Sequence, residues 1–185
     1  MKTSLIIDAV SAGKLLPSLL ATTIQLSSVH GNSEVLVVDD GTLDQQLHDL
    51  SNSNARIVRC QASTLGQRLN MAASLSHGRM LGFCQNTLDV SWVERMLAAA
   101  EGRTGLVDRM SSANGVPLIE MHPLRRLLPS WLRWRPHYAA RALGVERTWF
   151  DRMGGFDPSL EGDAMEDLAT RLKACRANIV TQGIY

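Results

Sequence analysis

Glu34-Val35-Leu36-Val37-Val38-Asp39-Asp40-Gly41 is the stretch on which the fold turns. Its apolar, mostly β-branched run shows no polar alternation, the mark of a strand buried on both faces in a parallel sheet. It ends in two carboxylates and a glycine, which is ordinary turn chemistry. On its N-terminal side, Ser4 to Ile7 reads as a short apolar strand. Leu15 to Leu26 carries apolar residues at helical spacing. Pro17 falls near the start of that helix, where a missing N–H is tolerated. On the C-terminal side, strands are expected at Ala55 to Cys60 and Arg79 to Phe83. Helices are expected at Leu65 to Ser76 and Trp92 to Ala100. Gly78 is expected to close the first of these helices as its C′ residue. Strand–helix alternation of this kind implies an α/β domain with a mostly parallel central sheet flanked by helices.

The second half is less regular. Gly105 to Val107, Val116 to Met121, Arg141 to Glu146 and Asn178 to Val180 are strand candidates. Arg147 to Met153 and Ala164 to Ala174 are helix candidates, the first closed by Gly154-Gly155. Met165, Leu168, Leu172 and Cys175 are expected to face inward.

The chain has 185 residues, 45% hydrophobic and 20% charged, with a formal net charge of +1. That length suits one domain with a core of its own, and the composition excludes disorder. Near-neutral charge argues against a nucleic-acid binder. No apolar run approaches the ~18 residues of a membrane span. The N-terminal stretch lacks the long apolar region of a signal peptide. Cys60, Cys84 and Cys175 form no zinc or disulfide spacing and read as buried, reduced thiols of a cytoplasmic protein.

Two acid pairs carry the candidate chemistry. Asp39-Asp40 ends a buried strand, and ligands of open α/β sheets bind outside strand carboxyl ends. Two carboxylates there suit a base or a ribose, although a plain turn accounts for them equally well. A dinucleotide site is excluded, because Asp8-Ala9-Val10-Ser11-Ala12-Gly13-Lys14 lacks the glycine-rich fingerprint. Glu166-Asp167 opens a helix. There, neighbouring carboxylates suit general-base work when partly buried, while acids in a first helical turn are also ordinary dipole partners.

The order of segments resembles the family 2 glycosyltransferases, with the nucleotide-sugar-binding GT-A fold. The carrying segments are Glu34 to Asp44 (EVLVVDDGTLD), Gly66 to Ala72 (GQRLNMA), Gly78 to Phe83, Gly154-Gly155-Phe156-Asp157, and Glu166-Asp167-Leu168 followed by Arg171-Leu172. They span about residues 4 to 182 of the chain. The resemblance implies a single, compact GT-A domain over residues 1–185. Its nucleotide-binding half would cover about 1–90 and its acceptor half about 91–185. It implies transfer of a sugar from a UDP- or other NDP-sugar to a saccharide or lipid-linked acceptor hydroxyl, with inversion, in surface polysaccharide or glycolipid synthesis. Asp8, Asp39, Asp40 and Asn70 would bind the nucleotide, with Asp40 on the base. Asp167 would be the general base, with Glu166 in support.

Two departures stand out. The first strand ends in Asp8-Ala9-Val10-Ser11, where the family has P-x-Y-N. The family's D-x-D, which holds Mn²⁺ or Mg²⁺ against the donor diphosphate, reads Gln85-Asn86-Thr87. These side chains bring oxygen but no charge, and Asp89 is the nearest carboxylate able to replace them. Arg125, Arg126, Arg133, Arg135, Arg141 and Arg147 gather around Trp131 and Trp134. Three readings of this stretch remain open. It is a solvated helix, a peripheral membrane contact through 123–137 at the inner face of the membrane, or a diphosphate site using Arg133 and Arg135 in place of the metal. His122 and His137 nearby read as structural. The alternative to an enzyme is a catalytically silent domain of this type that binds a nucleotide or a partner protein.

Overall fold

The computed structural model describes residues 2–41, 54–62, 64–85, 90–101, 118–121, 140–175, 177 and 180–183. The strands are β1 Thr3–Asp8, β2 Ser33–Asp39, β3 Ala55–Arg59, β4 Met80–Cys84, β5 Leu118–Met121, β6 Ala140–Glu146 and β7 Val180–Gly183. The helices are α1 Ala9–Ala12, α2 Leu16–His30, α3 Leu65–Leu75, α4 Val90–Glu101, α5 Arg147–Arg152 and α6 Ala164–Ala174. The expected strand at Gly105 to Val107 and the whole 123–137 segment lie outside the described residues.

Within the described residues the strands form one seven-stranded sheet in the order β3-β2-β1-β4-β6-β5-β7. β1, β2, β3 and β4 are parallel, while β6 runs antiparallel to both β4 and β5. β1 is buried along its whole length and β2 from Val35 onward, as a strand covered on both faces requires.

Alternation along the strands sends side chains to two cores. Ile6, Leu36, Val38, Leu81 and Phe83 pack with α3, α5 and α6 on one face. Leu5, Ile7, Val35, Val37 and Cys84 pack with α1, α2 and α4 on the other. Trp92, Val93, Met96 and Leu97 supply the α4 side of that second core. Met165, Leu168 and Leu172 of α6 are buried as expected, but Cys175 and Leu15 are exposed. Cys175 follows the last turn of α6, past its inward stripe. None of the three cysteines forms a disulfide.

The end of α3 differs from expectation. Its cap is Ser76 in extended conformation, not a left-handed glycine. The last carbonyls are taken by Arg147, whose guanidinium donates to Ala73 O at 3.1 Å and Ser76 O at 3.0 Å. Gly78 serves a close approach instead: a Cβ there would lie 2.4 Å from the Ser4 backbone nitrogen. Arg147 is therefore a structural cap on α3 and adds nothing to a phosphate- or lipid-binding arginine cluster.

Candidate functional site

The strand order reverses between β1 and β4, and a ligand of an open α/β sheet sits at such a switch point, outside the carboxyl ends. β1 ends in Asp8, β2 in Asp39 followed by Asp40, and β4 in Cys84 followed by Gln85. Ile7 pairs with Cys84 in register, so Gln85 follows abreast of Asp8.

Asp8 is completely buried. Its Oδ1 accepts from Arg68 Nε at 2.8 Å, and its Oδ2 from Arg68 Nη2 at 3.1 Å. Oδ2 also accepts from the Ser11 backbone N–H at 2.9 Å and the Ser11 hydroxyl at 2.5 Å, so Asp8 caps α1. Arg68 is 1% exposed and also donates to Glu161 Oε1 at 3.3 Å. Burial works against its charge. The Asp8 hydrogen bonds and charge, joined by those of Glu161, outweigh that and raise its pKa above the ordinary value.

Asp39 is equally buried, but on the other sheet face. It continues the Val35, Val37 alternation, whereas Asp8 continues that of Ile6. Its Oδ2 accepts from the Gly41 N–H at 3.0 Å and from Arg59 Nη1 at 3.1 Å. Its Oδ1 is buried with no hydrogen-bond partner, and so is Gln85 Nε2. A buried polar group left in that state costs about 1–3 kcal/mol, which a ligand can offset. Asp40 is half-buried at the strand end.

Asn70 is turned to the protein itself. Its Nδ2 donates to Phe156 O at 2.8 Å, and its Oδ1 accepts from Phe156 N at 2.9 Å. Both halves of the amide hold the Gly155-Phe156 turn, so the residue expected at the nucleotide is a positioning residue. Gly66, one helical turn earlier, allows the same segment to lie against α3. A Cβ there would sit 2.1 Å from Asp157 O. Glu161 Oε2 accepts from the Leu65 N–H at 2.8 Å, and the Thr64 hydroxyl donates to Pro158 O at 2.7 Å.

The turn held by α3 leads into α6, which carries the second acid pair. Glu166 and Asp167 lie in its first turn, both half-buried. Arg171 Nε donates to Asp167 Oδ2 at 2.7 Å. The same guanidinium donates to Met153 O at 2.6 Å and Gly155 O at 2.8 Å. The Asp167 carboxylate, 33% exposed, is thereby tied to the glycine turn that α3 grips.

The structure thus places Asp8, Asp39, Asp40 and Gln85 at the carboxyl ends of neighbouring strands, and α3 links Asp8, held through Arg68, to the 155–156 turn, held through Asn70, on the Asp167 side. Thr87, Asp89, Arg133 and Arg135 lie outside the described residues. Arg68, Glu161 and Arg171 carry parts of this network to which the motifs assigned no role. The one signal for Arg68 was a charge among Leu65, Leu69 and Ala72, on the apolar stripe of α3.

Solved structures share this architecture. The mannosyltransferase PcManGT from Pyrobaculum calidifontis, in complex with GDP-Man and Mn²⁺, superposes with a TM-score of 0.65 at 12% identity, over 98% of this chain and 55% of that one. Residues 1–349 of S. aureus TarS give 0.67 at 17% identity, over 100% and 59%. Glucosyl-3-phosphoglycerate synthase from Mycobacterium tuberculosis, with UDP, gives 0.67 at 14% identity, over 100% and 71%. The chain has a GT-A-like glycosyltransferase fold. It spans 55–71% of the length of these three proteins. No protein-family model matches the chain, and no curated protein matches it by sequence.

A metal of the kind bound by such GT-A neighbours does not fit the described side chains. No group of three or more His, Cys, Asp or Glu able to hold a metal exists among the described residues. Asp8 is already neutralised by Arg68. Gln85 brings an amide but no charge.

Proposed function

We propose that the protein transfers a sugar from a nucleotide-sugar donor to an acceptor hydroxyl, by single displacement with inversion. The observation that carries this reading is the bracing of Asp167. Arg171 holds its carboxylate and is itself fixed on two carbonyls of the 153–155 turn. A fixed, partly exposed carboxylate at the start of a helix suits proton abstraction, typically worth about 10²–10⁴ in rate. In the proposed step the acceptor oxygen bonds to the anomeric carbon while the bond from that carbon to the diphosphate oxygen breaks. The hydroxyl proton passes to Asp167, and the nucleoside diphosphate leaves. Glu166 supports the acceptor or Asp167.

Asp40, at the strand end, reads the base. Asp39 helps to hold the ribose or its own loop, with Oδ1 as the acceptor left to a ligand. Asp8 shapes the floor of the nucleotide site through Arg68. A saccharide or lipid-linked acceptor, a role in surface polysaccharide or glycolipid synthesis, and cytoplasmic action at the inner membrane face through 123–137 complete the proposal. No described helix is long and apolar enough to cross a membrane. The retained, braced Asp167 favours an enzyme over a silent domain.

The test is a panel of UDP- and GDP-sugars, assayed for hydrolysis and for transfer. Asp167→Asn is expected to lower turnover by about 10²–10⁴. A nucleoside diphosphate at about 100 times its Kd should still stabilise that variant by about 2.7 kcal/mol, a Tm rise of roughly 5–11 °C. Turnover undiminished in Asp167→Asn would remove the assigned base.

A further inference from the structure

We infer that the donor's diphosphate is held without a divalent cation, by N–H donation from Gln85 at the β1/β4 switch point. The inference rests on the nucleotide-sugar reading above and concerns how that ligand's charge is met.

Three observations converge. Gln85 follows the end of β4, abreast of Asp8, where the strand order reverses. Its Nε2 is buried and without a hydrogen-bond partner. An amide N–H can be satisfied only by an acceptor, and phosphate oxygens are strong, charged acceptors. The carboxylate abreast of it is already paired. Asp8 is bound on both oxygens by the Arg68 guanidinium, which is permanently cationic. The position abreast of Gln85 therefore holds a closed ion pair, not a free carboxylate waiting for a metal. A hard divalent cation needs several oxygen ligands, with carboxylates among them to offset its charge. Among the described residues no cluster of that kind exists. Among the described residues the edge has an unmet donor and no assembled cation site, which suits an anion directly.

The experiment is titration of the full chain with UDP, GDP and the corresponding nucleosides, followed by calorimetry and by Tm, in EDTA and again in Mn²⁺. The expected result is that one diphosphate binds in EDTA, with a Kd changed less than about threefold by Mn²⁺. Gln85→Ala should weaken that diphosphate at least about tenfold, the scale of a hydrogen bond to a charged group. The matching nucleoside should bind Gln85→Ala as it binds the wild type, which separates loss of the donor from misfolding. Gln85→Asp should weaken diphosphate binding in EDTA and restore it in Mn²⁺. Binding that requires Mn²⁺ in the wild type would overturn this inference and leave the glycosyl-transfer reading standing. Metal-free binding indifferent to Gln85→Ala would overturn the role of Gln85. Failure of every nucleotide to bind, with or without metal, would overturn the underlying reading and this inference with it.

Discussion

Arg68 shows how one side chain decides the site's electrostatics. It is completely enclosed with Asp8, and each carries the other's charge. Removing one partner of such a pair leaves the other charge buried and uncompensated, at about 3–5 kcal/mol. Arg68→Met should therefore lower Tm by roughly 6–20 °C, at about 2–4 °C per kcal/mol for a chain of this size. A thermal melt that moves by a degree or two would show Asp8 to be solvated or otherwise paired. At the opposite end of the sheet, Glu34 accepts from the Ser4 hydroxyl at 2.6 Å and from the His77 N–H at 2.6 Å. Burial raises its pKa, but these bonds, the His77 ring and Lys2 together outweigh burial and lower it below the ordinary 4.5. A depressed carboxylate pKa contributes stability above the unfolded value, lost as pH falls through the folded one. The stability gap between wild type and Glu34→Gln should accordingly be constant near neutrality and shrink below pH 4.5. A gap independent of pH in urea melts would refute this. The identities of Asp8, Asp39 and Gln85 at strand ends were legible, because a buried apolar run marks its own end. The pairing of Asp8 was not, because Arg68 arrives from a helix 60 residues away.

Between elements, α3 is the hinge of the design. Its Gly66, Arg68 and Asn70 each grip the 155–161 segment or the β1 end, and Phe83, Phe150 and Phe156 pack beneath the turn with centroids 4.7–5.4 Å apart. The resemblance placed Asn70 at the nucleotide, yet an asparagine amide mimics a peptide and can close on another stretch of backbone instead. Spacing alone does not distinguish these uses. The same limit hid the end of α3, where Arg147 supplies from a distant element what a local glycine was expected to supply. Asn70→Ala orphans the Phe156 N–H and carbonyl together, at about 1–3 kcal/mol each. Because the turn also anchors Arg171, turnover should fall further than nucleoside diphosphate affinity. An equal loss in both would mean that the clamp supports the whole fold and not the placement of Asp167.

Across the whole molecule, alternating strands and helices announced the parallel half, and it formed as β3-β2-β1-β4. The reversed β6 was not announced, since an apolar strand carries no mark of its direction. That strand matters because it joins the two halves: β6 pairs with β4 on one side and β5 on the other. The sheet is then a shared wall between two cores. Phe156 lies in the core formed with α3, α5 and α6, and Leu20 in the core formed with α1, α2 and α4, each 1% exposed. Phe156→Ala should cost about 3–5 kcal/mol and Leu20→Ala about 2–5 kcal/mol. Separated by the sheet and sharing no cluster, the two should add to within roughly 0.5 kcal/mol. If the wall couples the cores, each variant lowers the midpoint of one cooperative transition, seen alike by fluorescence and circular dichroism. Two separated transitions in either variant would mean that the faces unfold independently, and that α6 and its Asp167 can come loose while the α2 side stays folded.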